Sequence, residues 1–376
     1  MRIAIAGLGN IGSAVLRLLR GHADLLKARG QEMIVTAVSA RDRNRKRDCD
    51  VTGIAWVDDP LALAARRDVD VVVELIGGAE GVAQELALAA IANRKHLVTA
   101  NKALIAAHGV SLARRAELSG LQMSFDAAVC GGLPVLKTLR EGLAANCLSS
   151  VRGILNGTCN YILTRMLDEG MSFAAALAEA QGLGYAEADP SSDIDGIDTA
   201  QKLVLISALA FGAPPDLAAV SVEGIRAIKL ADLQDAAARG GRIKLLGTAH
   251  VTESGIVQRV QPVFVPLDEP LARVGGAANG VEITGDFVGN VYLQGQGAGG
   301  DATASAVVSD LLDIAREHRS FAFGVAAKKL YHHSSRGLSH QRQESSKESK
   351  VCPSAITQKG HDMEYYIGLD ISQKQT

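Results

Sequence analysis

The chain has 376 residues, with 39 basic and 41 acidic side chains and a formal net charge of -2. That length suffices for two domains with sizeable cores, and the near balance of charge offers no long-range field to a nucleic-acid or anionic-membrane partner. The five cysteines (Cys49, Cys130, Cys147, Cys159, Cys352) are scattered, with no CxxC pair or metal-ligand spacing, a usage that fits a reducing compartment better than a disulfide framework.

Met1 leads directly into an apolar run, residues 2–6, without the basic, apolar and small-residue segments of a signal peptide. A helix is expected from residue 11 to 19, where apolar positions recur at helical spacing. Strands follow at 33–38, more weakly at 53–57, and at 69–75, the last a nearly continuous apolar run ending at Gly77-Gly78. Such strands suit a parallel sheet covered by helices on both faces. Helix 79–94, strand 96–99, helix 103–119, strand 122–126 and a linking helix 133–144 complete the first unit. This alternation predicts an α/β fold: an N-terminal Rossmann-type, doubly wound parallel sheet over residues 1–135, with ligands at the carboxyl ends of its strands.

From residue 145 the pattern changes. Short strands (148–154, 247–252, 257–264, 280–284, 288–294) mix with helices (160–168, 173–181, 195–210), which predicts a second, α+β domain over residues 136–300. A glycine-rich stretch at 295–300 precedes a helix at 304–316, and the segment near 295–325 is expected to return and complete the first domain. The longest apolar stretch, residues 203–215, has 13 residues, against the ~20 that span a bilayer. A soluble, cytoplasmic protein is therefore expected. Residues 326–376 are polar and atypical, and are expected to be poorly packed apart from a possible strand at 365–371.

The first strand and helix are joined by Gly7-Leu8-Gly9-Asn10-Ile11-Gly12. A GxGxxG in this position predicts dinucleotide binding: Gly7 for the tight turn, Gly9 for approach of the pyrophosphate, Gly12 for close helix–strand packing. After the second strand the sequence reads Ser39-Ala40-Arg41-Asp42. Two readings stand here: Arg41 meets the adenine or a 2′-phosphate, favouring NADP or dual use, or Asp42 clamps the ribose of NAD. Gly77, Thr99, Asn101 and Lys102 at strand ends, and Gly297 in the later glycine-rich stretch, join the candidate cofactor set.

The segment 185–202 carries Glu187, Asp189, Asp193, Asp195 and Asp198, closed by Lys202. Asp198 and Lys202 are four apart and share a face of any helix starting near 195. In a cleft such a pair can position a water or carbonyl and tune a proton donor; on the surface it is an ordinary solvated pair. Lys102, just past a strand end, is open to the same two readings.

Several long motifs decide between them. GLGNIG (7–12), TANKALIA (99–106), AAVCGGLPVLKTL (127–139), GILNGTCNYIL (153–163), LGYAEADPSSDIDGIDTAQK (183–202), IKLLG (243–247) and GQGAGGDATASAVVSDL (295–311) together resemble homoserine dehydrogenase over roughly residues 1–330. The resemblance implies NAD(P)-dependent interconversion of L-aspartate 4-semialdehyde and L-homoserine, on the route to threonine, isoleucine and methionine. It places Lys102, Asp198 and Lys202 as proton-transfer and positioning groups and Glu187 on the substrate amino group, supported by Asp193. Gly157, Thr158 and Tyr185 would line the pocket. It also implies a sodium-like cation held by main-chain oxygens near Val129, Gly131 and Leu133, with Asp126 where the family commonly has Glu. Family members pair as homodimers, which assigns dimerisation to the second domain. Many carry a further threonine-sensing domain, for which the tail is too short and too polar; its stretch 365–371 looks as much like the opening strand of an insertion-element transposase. Weak or absent threonine inhibition is accordingly expected.

Overall fold

The computed structural model describes residues 1–330; the tail and its expected strand at 365–371 lie outside the described residues. Two six-stranded sheets organise the chain. The first comprises β1 (Arg2–Ala6), β2 (Ile34–Ser39), β3 (Ala55–Trp56), β4 (Val71–Glu74), β5 (His96–Thr99) and β6 (Met123–Ser124), in the order β3-β2-β1-β4-β5-β6. All neighbours are parallel, with Ile3 opposite Val71 and Val71 opposite His96. Every residue of β4 is buried, as a strand with helices on both faces requires. The order reverses between β1 and β4, which opens a crevice at their carboxyl ends.

The second sheet, β12-β11-β7-β9-β10-β8, is antiparallel except for β8 against β10. Its strands are β7 (Leu148–Ile154), β8 (Val220–Val222), β9 (Gly241–Thr252), β10 (Gly255–Pro266), β11 (Ala278–Gly285) and β12 (Gly289–Gln296). Gly247 of β9 approaches Thr199 and Leu203 of the helix Ile197–Phe211, so that helix covers one face. Side chains alternate along a strand, which puts Arg152, Thr248 and Glu282, adjacent in register, on the other face with Ser150, His250 and Thr284. The helix Gly300–Ala315 returns to the first domain, where Ala304, Val307 and Leu311 join one apolar cluster with Val15 and Leu16 of the helix Asn10–Gly21. No helix among the described residues is long and apolar enough to cross a membrane.

Several elements differ from their sequence expectation. The helix expected at 133–144 is a short helix, Val135–Lys137, followed by a wider turn, Thr138–Gly142, that turns Arg140 inward onto Asp126. The helix expected from 79 begins at Val82, because Gly81 lies at φ 67° and interrupts the helical backbone. Residues 326–330, expected to open the poorly packed tail, are instead docked: Ala327 is buried and its N–H donates to both oxygens of Glu117, at 3.0 and 3.1 Å.

Candidate active site

The glycine loop has the geometry its sequence implies. Gly7 lies at φ 101°, and a Cβ there would fall 2.4 Å from Leu75 O; a Cβ on Gly12 would fall 2.0 Å from Gly7 O. Nothing lies within 4 Å of a Cβ on Gly9, which leaves that position open to a ligand. Gly9 caps the helix Asn10–Gly21 with no side-chain hydrogen bond, so the first-turn N–H groups near Ile11 are free for an anion. The neighbouring cleft, about 510 Å³, is lined by Gly9, Asn10, Arg17, Arg45, Lys46 and Arg47. Arg41 is exposed just beyond β2. Asp42 Oδ1 accepts from the N–H groups of Asn44 (2.8 Å) and Arg45 (3.2 Å) in its own turn. The basic residues Arg45, Lys46 and Arg47 are a feature of the cleft that the sequence reading passed over.

At the end of β4 the fully buried Glu74 accepts from Ile76 N (2.7 Å), Gly77 N (3.2 Å) and the Thr99 hydroxyl (2.6 Å). Asn101 caps the helix Lys102–Leu118, accepting from Leu104 N at 3.1 Å and donating to Gly78 O at 2.6 Å. Thr99 and Asn101 therefore spend their side chains on shaping the Gly77-Gly78 loop. Asn101 also opens the helix of which Lys102 is the first residue.

Lys102 comes from the first domain; its partner comes from the second. Gly196, at φ 84°, ends the preceding turn, and the helix Ile197–Phe211 then places Asp198 and Lys202 one turn apart. The Lys102 ammonium stands 3.1 Å from Asp198 Oδ1, and the Lys202 ammonium 2.8 Å from Asp198 Oδ2. Lys202 also donates to Leu155 O at 2.8 Å. Burial opposes charge on Asp198, but Lys202 and Lys102 overcome it and hold this carboxyl well below the ordinary range. Burial likewise disfavours charge on Lys202, and Asp198 more than compensates, so its ammonium is stabilised. Asp193, by contrast, is pushed up by burial and by Asp198.

Asn156, at the end of β7, joins the two carboxylates: its Nδ2 donates to Asp193 Oδ1 and to Asp198 Oδ2, each at 2.8 Å. Thr158, the second residue of the helix Gly157–Glu169, donates to Tyr185 O at 2.7 Å, and the Tyr185 ring lies 5.0 Å from that of Tyr161. A Cβ on Gly157 would fall 2.5 Å from Ala277 O, so only glycine fits there. Lys102, Asp198, Lys202, Asp193, Thr158 and Tyr185 are thus brought together. Glu187 is not: it is exposed, and its carboxylate has no partner among the described residues. The sequence reading missed Asn156, although an Asn between a strand and a helix is a capping signal.

The loop after β6 contains Cys130 at φ 50°, whose buried thiol accepts from Asn279 Nδ2 at 3.2 Å. Gly131 and Gly132 pack where a Cβ would meet Thr303 Oγ1 at 2.4 Å and Gln296 O at 2.2 Å, and a Cβ on Gly297 would meet Asn279 at 2.1 Å. Leu133 O accepts from Val135 N at 2.8 Å. The carboxylate of Asp126, one candidate cation ligand, is ion-paired with Arg140.

A family model described as homoserine dehydrogenase matches residues 134–312, and one described as homoserine dehydrogenase, NAD binding domain, matches residues 7–126. A homoserine dehydrogenase of Neisseria gonorrhoeae is 46% identical over 317 residues, 84% of this chain and 72% of that protein. The crystal structure of a homoserine dehydrogenase from Thiobacillus denitrificans superimposes with a TM-score of 0.83 at 41% identity, covering 88% of this chain and 78% of that one. A hyperthermophilic archaeal homoserine dehydrogenase in complex with NADPH does so with a TM-score of 0.72 at 26% identity, covering 85% and 99%.

Proposed function

Since the chain belongs to the homoserine dehydrogenase family and is an NAD(P)-dependent oxidoreductase interconverting L-aspartate 4-semialdehyde and L-homoserine, we propose that Lys102, Asp198 and Lys202 form its proton-handling centre. The observation that carries this reading is Asp198 clasped between two ammonium groups from different domains. When bound, the nicotinamide supplies or accepts the hydride. Lys202 is held charged by Asp198 and so stabilises negative charge developing on the aldehyde oxygen and gives it a proton. Lys102 supplies a second positive charge at the same carboxylate. Asp198 keeps both lysines oriented, and its depressed proton affinity lets it do so without taking the proton itself. Thr158, Gly157 and Tyr185 line the substrate site, Asp193 supports it, and Glu187, extended into solvent, closes on the substrate ammonium. The pathway role, supply of homoserine for threonine, isoleucine and methionine, follows from the reaction.

The reaction is read directly from absorbance of the reduced cofactor with homoserine and NADP or NAD. Lys102→Ala and Lys202→Ala are each expected to lower kcat by about 100-fold or more, the usual range for loss of a general acid. Near-normal kcat with only a raised KM in both variants refutes the assignment.

NADP is the favoured cofactor, a reading supported by Arg45, Lys46 and Arg47 lining the cleft. Replacing Arg41 and Arg45 together by Ala is expected to raise KM for NADP far more than KM for NAD. A sodium-like cation would be held by the main-chain oxygens of Val129, Gly131 and Leu133, in the buried loop where the backbone turns sharply at Cys130; replacing sodium with a large tetraalkylammonium ion should then lower activity. The chain pairs as a homodimer through the second sheet's face that carries Ser150, Arg152, Thr248 and His250. Light scattering should give twice the chain mass, and Thr248→Glu should return it to one.

A further inference from the structure

The Asn156 amide is used completely. It is 4% exposed, its Oδ1 accepts from Cys159 N at 2.8 Å to cap the helix Gly157–Glu169, and both N–H bonds are spent on carboxylates. The capping bond fixes which end of the amide is oxygen, and so directs Nδ2 at Asp193 and Asp198. Asp198 Oδ2 is the same oxygen that accepts from Lys202, so the Asn156 donor and the Lys202 ammonium share one acceptor. We propose that Asn156 is a positioning residue of the reaction, one that bridges Asp193 to Asp198 and thereby fixes the carboxylate oxygen on which the Lys202 ammonium is aligned.

The chemistry demands this residue type. Two carboxylates in one buried site repel, and a neutral group that offers a donor to each relieves the repulsion without adding charge. The site separates the two acids accordingly: Asp198 is held down by its lysines, whereas Asp193 is raised by burial and by Asp198. An Asp in place of Asn156 keeps a capping oxygen but turns an acceptor on two acceptors. A Ser keeps the cap with no reach to the carboxylates.

This inference rests on the assignment of Asp198 and Lys202 above, and the experiment separates the two. Asn156→Asp, Asn156→Ser and Asp198→Asn are compared in the full chain by kcat, KM for homoserine, pH dependence of kcat and melting temperature. Asn156→Asp is expected to lower kcat at least 100-fold, to change KM less, and to move the acid limb of the kcat profile to higher pH. Asn156→Ser is expected to lower kcat at least tenfold with the melting temperature retained; it carries the test if the Asp variant does not fold. Asn156→Asp and Asn156→Ser both within threefold of the parent kcat, with the acid limb unmoved, overturn the proposal. If Asp198→Asn also keeps its kcat, it is the underlying assignment that fails; if only the Asn156 variants do, the bridge alone is wrong.

Discussion

Two glycines of the cofactor region show how differently one residue type serves the fold and the ligand. At Gly9 the backbone sits at φ -80° and ψ -157° and a Cβ meets nothing within 4 Å. Gly9→Ala should therefore fold with stability within about 0.5 kcal/mol of the parent while raising the cofactor KM, since the added methyl stands where the pyrophosphate approaches the backbone. At Gly297 a Cβ would fall 2.1 Å from Asn279 Cγ, and Asn279 is 1% exposed. Asn279 cannot retreat freely, because its Nδ2 is tied to the Cys130 thiol in a loop already at positive φ. Gly297→Ala is expected to cost about 1–3 kcal/mol by overpacking and to lower the melting temperature by several degrees. A variant melting with the parent would show that this junction is looser than its contacts indicate.

At the scale of elements, local pattern carried the first domain and long-range partnership carried what pattern could not reach. The run β1, glycine loop, helix is contiguous in sequence and was readable, as were the continuous apolar strands β4 and β5. The helices Pro60–Ala65 and Leu230–Ala238 are too short to establish a period and went unread. β9 begins at Gly241, six residues before the expected strand, since Arg242 and Lys244 break its apolar run. Asp198 and Lys202 were legible as an i, i+4 pair, but their junction with Lys102 depends on two sheets meeting. Lys244 is the clearest case. In sequence it is one letter of IKLLG; in the structure it is 4% exposed and donates to Val274 O (2.6 Å) and Asn160 Oδ1 (3.0 Å), 30 and 84 residues away. Asn160 in turn donates to the carbonyls of Val274, Gly276 and Ala278, so this pair anchors the segment leading to Asn279. Burial, helped by Arg242, lowers the Lys244 ammonium to about 8. The unfolded chain thus binds more protons between pH ~8 and ~10.4, the free lysine value, and stability from this group rises with pH across that window. The stability advantage of the parent over Lys244→Met should grow there by on the order of 3 kcal/mol, measured by denaturant unfolding at several pH values; an advantage that is flat with pH contradicts the burial argument.

The whole molecule is closed by the helix Gly300–Ala315, which begins beside β12 of the second sheet and ends on the first domain. Its apolar face explains the docking, but it also carries Asp310, 1% exposed, into the interior. There Asp310 Oδ2 accepts from Asp126 N at 3.1 Å, next to the Asp126–Arg140 ion pair. Asp126 and Asp310, with Glu141 at 3.8 Å, face a single buried guanidinium, and burial first, then Asp126, pushes the Asp310 carboxyl well above its ordinary value. The folded state therefore holds a proton that the unfolded chain releases near pH ~3.9, and the contribution of Asp310 to stability falls as pH rises from that value toward the folded one. Asn at this position preserves an acceptor for Asp126 N and is neutral at every pH. Asp310→Asn should match the parent near pH 4 and become progressively the more stable of the two toward pH 8, because the parent must either deprotonate a buried acid or pay to keep its proton. Denaturant unfolding of both proteins across that range reads the difference, and a gap that stays constant with pH would mean that Asp310 is ionised beside Arg140 and that the returning helix is fastened by charge instead of by a neutral hydrogen bond.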